Sequence, residues 1–427
     1  MGSMTDIVRD LAPLRRVICA PDYDRAVDYL CRLLPFEVRA YSGESRNGWV
    51  IPPRWEVAAA TISRDSVAVY DGLAHPLGVI ALSAPYEGRL PLEALRAHLH
   101  VHHDDPEAIP FHYRQQFRSW ARDWGFCLPR RVAEALAPGM YEVVLQTREA
   151  PGTLRVLEYT HAGRRPEIIV FGANLDRPGV ANDGVSACAV GLEVMRRLRG
   201  RGTKFSYRLV LVPGIIGSEY YLGDLAEEER ARLFAGVFLE MLGTRTQLAL
   251  QRSREGRSLV DAALAQALHA SGVDHRAGDF ETIIVNDEYV WEAYGIPMCS
   301  LSRFPYPEYH SSRDNAALMS DAALEEAARA LEGTIAELED AALVTRRFRG
   351  VPCLANPAYD LYVDPGEAVL GNRPGERAMR MRRLMDLLPA LSRPATVREL
   401  AAQVGLAEDE VHAYLARWEA KGLVELD

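Results

Sequence analysis

The sequence predicts an α/β protein: a mixed, mostly parallel sheet flanked by helices, with a small β-rich insertion and a C-terminal winged-helix unit. Three observations predict it. First, an apolar run at residues 167–171 leads through a polar loop into a helical pattern at 185–198. A buried strand, a loop and a packed helix in that order are the repeating unit of an open α/β sheet. Second, strand and helix patterns alternate beyond residue 154. Strands are expected at 167–171, 207–212, 236–239, 282–285 and 298–301, and helices at 185–198, 259–270 and 322–343. Third, the chain closes on three short helical patterns, at 377–391, 396–404 and 407–421, followed by a strand-like 423–426. That is the order of a winged helix. Thr396, with Glu399 three residues on, forms a capping box for its second helix.

Nearer the N-terminus, Ala26, Val27, Leu30, Leu33 and Leu34 fall on one face of a helix at 23–34. Residues 35–41 alternate as a strand and Ser42-Gly43 turns the chain. From 49 to 139 the texture changes to short strands, prolines and a histidine-rich segment, and 141–146 is extended again. The expected organisation is a discontinuous α/β core (5–48 and 140–345), an inserted β-rich lid (49–139), a Pro-rich linker (346–376) and the winged helix (377–427).

A length of 427 residues suits two or three domains, and 48% hydrophobic with 25% charged residues suits a globular protein with a large core. The net charge of -10 argues against a general nucleic-acid or anionic-membrane binder. The last helical pattern sets Arg417 and Lys421 against Glu408, Asp409, Glu410 and Glu419, which suits a protein contact or a homo-oligomer better than DNA. Six scattered cysteines without a CxxC pair, no apolar leader and no window of transmembrane length lead to the expectation of a cytoplasmic protein with reduced thiols.

The loop after the first core strand carries Asn174, Asp176, Arg177 and Asp183, more polar chemistry than a connection needs. Its Ala181-Asn182-Asp183-Gly184-x-Ser186 motif resembles the co-catalytic zinc aminopeptidases, in which the Asp of this loop bridges two metal ions. Those enzymes place a metal-binding His nine residues earlier in a His-x-Asp motif, where this chain has Asn174-Leu175-Asp176. A fuller resemblance is to a bacterial family of aminopeptidase-like proteins with an inserted β domain and a C-terminal winged helix. It is carried by Trp49-Val50-Ile51-Pro52, Ile109-Pro110-Phe111, Trp124-Gly125-Phe126-Cys127, Pro178 with Ala181-Asn182-Asp183, Pro213-Gly214, Asp287-Glu288 and Tyr309-His310-Ser311 with Asp314.

That resemblance implies a zinc site built from a His-x-Cys-His-Pro stretch, the Asn-Asp loop, the Asp-Glu pair and a Tyr-His loop. Asp183, Glu288 and His310 match it. Asn174 and Arg177 stand where both histidines of the first stretch belong, and Asp176 stands for the Cys. The paired glutamates of the wider group are absent from 212–218, where only Glu219 follows. Glu240 falls where those aminopeptidases carry a metal-binding acid after a strand.

The implied metal set is therefore Asp183, Glu240 and His310, holding a divalent ion: zinc first, with manganese or iron favoured as the donors become richer in oxygen. Glu288, Arg177 and Asp176 are the catalytic candidates, with Glu288 holding a substrate amine or taking a proton and Arg177 binding an anionic group. Asn174, Tyr309 and Arg303 are the substrate-binding candidates. The implied activity is metal-dependent hydrolysis of a small peptide or amino-acid amide, with a biosynthetic route as its setting. The loss of both histidines keeps open a zinc-free member doing amide formation or rearrangement, or a non-catalytic ligand binder.

Simpler roles stand beside these. Asp183 alone could cap the helix that follows it. The segment 98–103, with four histidines, reads as a polar edge or helix end, and Cys127 as a core thiol.

Overall fold

The structure is a computed structural model that describes residues 2–43, 45–364, 375–391 and 393–427. Its largest element is an eight-stranded sheet of β1 (Glu37–Tyr41), β2 (Leu154–His161), β3 (Ile168–Asn174), β4 (Ser206–Val212), β5 (Leu233–Glu240), β6 (Leu248–Gln251), β7 (His275–Gly278) and β8 (Met298–Ser302). The spatial order is β1-β2-β4-β3-β5-β8-β6-β7. The central run β4-β3-β5-β8 is parallel, as is β6 with β7, and the other joins are antiparallel.

Every residue of β3, β4 and β5 is buried, because helices cover both faces. Pro21–Leu33, Ala187–Leu198, Leu259–Ser271 and Asp321–Glu339 pack on one face, and Ile216–Asp224 and Glu288–Ala293 on the other. Packing between strands is tight enough to dictate residue size. Phe238 of β5 lies in register with Gly172 of β3, and a Cβ on Gly172 would come 2.6 Å from its ring. Burying that ring contributes about 2–3 kcal/mol that a bulkier neighbour would forfeit.

The expected strand at 282–285 is not one. Ile283 and Ile284 donate their backbone N–H groups to Gln251 Oε1 at 2.9 and 3.0 Å, and Gln251 Nε2 donates to the Ile284 carbonyl at 2.8 Å. One amide side chain at the end of β6 thus does what a neighbouring strand would do, and the apolar run becomes a loop. In its place β6 and β7 complete the sheet. Both have four residues, too few for a period, and pairing fixes them rather than propensity.

A second, antiparallel sheet joins Arg54–Arg64, Val67–Asp71 and Tyr86–Pro91 with Met140–Ala150. The expected core boundary at 139/140 therefore cuts this sheet, since Met140–Ala150 pairs here rather than in the large sheet. Leu343–Arg346 departs similarly: it is the middle strand of a three-stranded sheet between Ala395–Thr396 and Val424–Leu426. Helices Glu376–Leu387, Val397–Val404 and Glu408–Glu419 pack on that sheet, and Leu354 and Leu361 of the expected linker pack there too. Residues 365–374 of the linker lie outside the described residues. Thr396 and Glu399 close the capping box, with Thr396 Oγ1 accepting from Glu399 N at 3.0 Å and Glu399 from Thr396 N at 2.7 Å. Among the described residues no helix is long and apolar enough to cross a membrane.

Candidate functional site

The chain leaves β3 for β4 on one side and returns as β5 on the other, the kind of switch point at which an open α/β sheet forms its crevice, at the carboxyl ends of the strands. β3 ends on Asn174 and β5 on Glu240, so both candidates stand at these strand ends, where they are buried. The loop after β3 is held from beneath by Arg16, which is fully buried. Its Nε donates to the Leu175 carbonyl at 3.1 Å and Nη2 to the Val180 carbonyl at 2.9 Å, with further bonds to the carbonyls of Arg177 and Leu11. A buried guanidinium is tolerated when its N–H groups are used, and here they fix an irregular backbone.

That backbone presents Arg177. Nη1 donates to Asp176 Oδ1 at 2.8 Å, Nη2 donates to Asn174 Oδ1 at 3.0 Å, and Nε lies 3.6 Å from Asp183 Oδ1. Burial alone would weaken the charge, but Asp176 and Asp183 more than offset it and hold Arg177 firmly protonated. Burial likewise pushes the Asp183 carboxyl up, while Arg177 and His310 pull it below its usual range. Asp176 Oδ1 also accepts the Gly214 N–H at 2.8 Å.

Asp183 does not cap the following helix. Residues Asn182–Ser186 form a kinked turn in which Asp183 (φ -70°, ψ 101°) and Gly184 (φ 92°, ψ -60°) leave helical geometry. Glycine is required at 184: the φ is positive, and a Cβ would meet the Asn174 carbonyl at 2.6 Å. Asp314 supplies the cap instead, accepting the N–H groups of Ala181, Asn182 and Asp183 at 3.2, 2.6 and 3.0 Å and the Tyr306 hydroxyl at 2.7 Å. Asn182 Oδ1 accepts from Gly243 N at 2.7 Å, which ties the turn to the segment after β5.

Asp183 is thereby free to face His310, whose Nε2 lies 3.1 Å from Asp183 Oδ2. His310 has positive φ (54°), as do Ile215 and Met241 beside the same crevice. Bulky side chains rarely adopt that conformation, and such strain gathers at working sites. The His310 ring stacks on Tyr309 at 3.8 Å and is flanked by Phe111 and Tyr113 at 5.1 Å each. Phe111 N donates to the His310 carbonyl at 2.8 Å, and Pro110 bridges to Ser311, so residues from the 49–139 segment wall the crevice.

Glu240 and Glu288 form a buried acid pair. Glu240 Oε1 and both oxygens of Glu288 stand without a well-aligned hydrogen-bond partner. Burial is the main reason both carboxyls are raised, Glu288 to about 7, and for Glu240 the neighbouring Glu288 charge adds to it. Two adjacent carboxylates in so dry a place cannot both stay charged near neutral pH. Asn286 Nδ2 donates to Asn174 Oδ1 at 2.9 Å and links the pair's loop to Arg177's. Asp287 turns away from the pair. It accepts from Ile215 N at 2.9 Å, from Asn174 Nδ2 at 3.0 Å and from the Ser218 hydroxyl.

The structure thus brings Asn174, Asp176, Arg177, Asp183, Glu240, Glu288, Tyr309 and His310 to one crevice. Arg303 is not among them: it is bound to the Thr246 carbonyl at 2.6 Å, the Ala323 carbonyl at 3.2 Å and Glu326 at 2.6 Å, and holds helix Asp321–Glu339 to the sheet. Glu219 is likewise occupied by Asn47 and Tyr294. Arg16, Asn286 and Tyr113 carry no signal in the sequence strong enough to find them, and Phe111 and Gly214 stand in recognised motifs without a sign of what they touch. Asp287 and Asp314 belong to recognised motifs, but their supporting role shows only in the contacts. Outside the crevice, His98 stacks on Trp124 at 3.8 Å, and burial pushes the Cys127 thiol up to about 12. Both suit structural roles.

The donor set does not fit a zinc pair. Among the described residues, no group of three His, Cys, Asp or Glu side chains is gathered closely enough to hold a metal ion. The amide of Asn174 and the cation of Arg177 stand in the loop where neutral imidazoles would be needed.

A Clostridium acetobutylicum protein named for polysaccharide biosynthesis and an aminopeptidase-like domain is 25% identical over 328 residues, covering 75% of this chain and 74% of that protein. A solved structure from the same organism, named as a peptidase, superposes with a TM-score of 0.75 at 20% identity, covering 99% of this chain and 96% of that one. The zinc aminopeptidase of Bacillus subtilis superposes at 0.61 with 16% identity, covering 78% and 94%. These likenesses establish a zinc-aminopeptidase-like fold. Residues 5–341 match the model of the DUF4910 domain of unknown function, and the chain belongs to that family.

Proposed function

We propose that this chain is a peptidase-type enzyme that cleaves the amide bond of an aminoacyl or small-peptide substrate, using acid–base groups of its own. The observation that carries the reading is the convergence at the strand ends of a fixed guanidinium, Arg177, and a buried acid pair, Glu240 and Glu288. Amide hydrolysis needs charge stabilisation at the carbonyl oxygen and a group that takes a proton from water and returns it to the leaving amine. Arg177 supplies the first by hydrogen bonding. An acid pair that exchanges one proton near neutral pH supplies the second. Water oxygen bonds to the carbonyl carbon, its proton passes to the carboxylate, and the C–N bond breaks as that proton moves to the nitrogen. The surplus of carboxylates attracts the substrate's free amine, and the ring of Tyr309 gives its side chain an apolar surface. The peptidase-like names of similar proteins support the same class.

A competing reading places a single divalent ion on Asp183, Glu240 and His310, which would have to draw closer together than they stand here to hold it. It is supported by the Glu240 oxygen Oε1, which lacks a well-aligned partner. Incubating the protein with a panel of aminoacyl amides, aminoacyl anilides and dipeptides, with and without chelator, tests both. Chelator-resistant release of amine, lost in Glu288→Gln, is the expected result. No release from any member of the panel contradicts the enzymatic reading, and chelator-sensitive release favours the ion.

A further inference from the structure

We propose that the guanidinium of Arg177 is the resident cation of this crevice and occupies the charge-compensating place that a metal ion would otherwise take. The inference does not depend on the reaction proposed above. Its basis is the packing around Arg177. Oxygens from three positions, Asp176, Asn174 and Asp183, surround the guanidinium at 2.8, 3.0 and 3.6 Å. Oxygen donors converging from separate residues are the usual surroundings of a bound cation, and two of these three are carboxylates. The side chain is only 12% exposed, and those of Asp176 and Asp183 are 0% and 7% exposed. Two carboxylates so deep in the protein require a positive charge between them.

The backbone leaves room for this group. A Cβ at Gly214 would lie 2.8 Å from Arg177 Nη1 and 3.0 Å from Nη2, so the segment after β4 gives up a side chain where the guanidinium sits. Gly214 also donates its N–H to the oxygen of Asp176 that Arg177 binds. From below, Arg16 binds the carbonyl of Arg177 itself and those of Leu175 and Val180, so the loop that carries the cation is fixed before any ligand arrives.

A guanidinium differs chemically from a metal ion. It orients an oxygen by directed N–H bonds, but it does not coordinate water and lower its pKa. Proton removal from water therefore falls to a carboxylate or to His310.

The test uses the full chain, purified without chelator. Elemental analysis of the unaltered protein is expected to give less than about 0.1 divalent ion per chain. Its melting temperature should stay within about 1 °C on addition of zinc, manganese or guanidinium at low millimolar concentration. In Arg177→Ala the melting temperature should fall by several degrees, and guanidinium or zinc at the same concentration should restore at least half of the loss. Should Arg177→Ala fail to fold, Arg177→Lys, which keeps a positive charge, is expected to fold and remain metal-free. A stoichiometric metal ion in the unaltered protein overturns the proposal. So does an Arg177→Ala protein that is as stable as the parent, or one whose loss neither cation restores. So does an Arg177→Lys protein that fails to fold or takes up a metal ion when Arg177→Ala cannot be obtained.

Discussion

Gly214 Cα faces the Arg177 guanidinium so closely that one added carbon would stand 2.8 Å from Nη1. Gly214→Ala should therefore push the guanidinium off Asp176 or shift the loop after β4. The expected cost is about 1–3 kcal/mol, in the range of an overpacked core site, read as a lower denaturant midpoint. An unchanged midpoint would mean that the guanidinium moves freely, against a rigid crevice.

Asp314 takes three backbone N–H groups of the Asn182 turn. Asp314→Ala leaves those donors buried without acceptors and should cost about 3 kcal/mol or more. Tyr306→Phe removes only one hydrogen bond to the same carboxylate and should cost about 1 kcal/mol. If the two variants lose equal stability in urea titrations, Asp314 is not the organiser of the turn.

Glu288 titrates higher in the folded chain than in the unfolded one, chiefly because it is buried, with a value of about 7 against an ordinary 4.5. The folded state therefore binds more protons between those values, and stability falls as pH rises through that window. Glu288→Gln removes the share of this dependence that Glu288 contributes and leaves that of Glu240. Relative to the parent it should gain stability between pH 5 and pH 7, on the order of 2 kcal/mol. Parallel stability curves for the two proteins over that range would show that Glu288 is not held protonated by its surroundings.

Gln251 substitutes for a strand partner with one side chain, so Gln251→Leu should release the 282–285 loop. Hydrogen exchange at the amides of Ile283 and Ile284 is expected to speed up by at least tenfold, while β8 stays protected. Unchanged protection would place the loop's stability elsewhere.

The central strands were legible because burial on both faces leaves apolar runs at 168–171 and 209–212. The gathering of Asp183, Glu240, Glu288 and His310 was legible because they lie just beyond such strands or in recognised loops, where an α/β sheet builds its site. Arg303 was misplaced for a definite reason: a loop arginine carries no sign of which carbonyls it will meet, and here they belong to Thr246 and Ala323. The strand forecast at 282–285 failed because Ile283 and Ile284 have strand propensity, while their pairing partner is a side chain from another segment. Asp183 as a helix cap failed similarly, since its capping role is taken by Asp314, far along the chain. Long-range hydrogen bonds decided all three cases, and no local pattern encodes them.

In the proposed reaction the acid pair and Arg177 together process an amide. Its most direct test is kcat/KM against pH for aminoacyl-amide release, in chelator, for the parent and Glu288→Gln. The parent is expected to be active with a limb near pH 7, and the variant, still folded, to be slower by about 100-fold or more with that limb gone. Equal rates and equal pH profiles in the two proteins would contradict it.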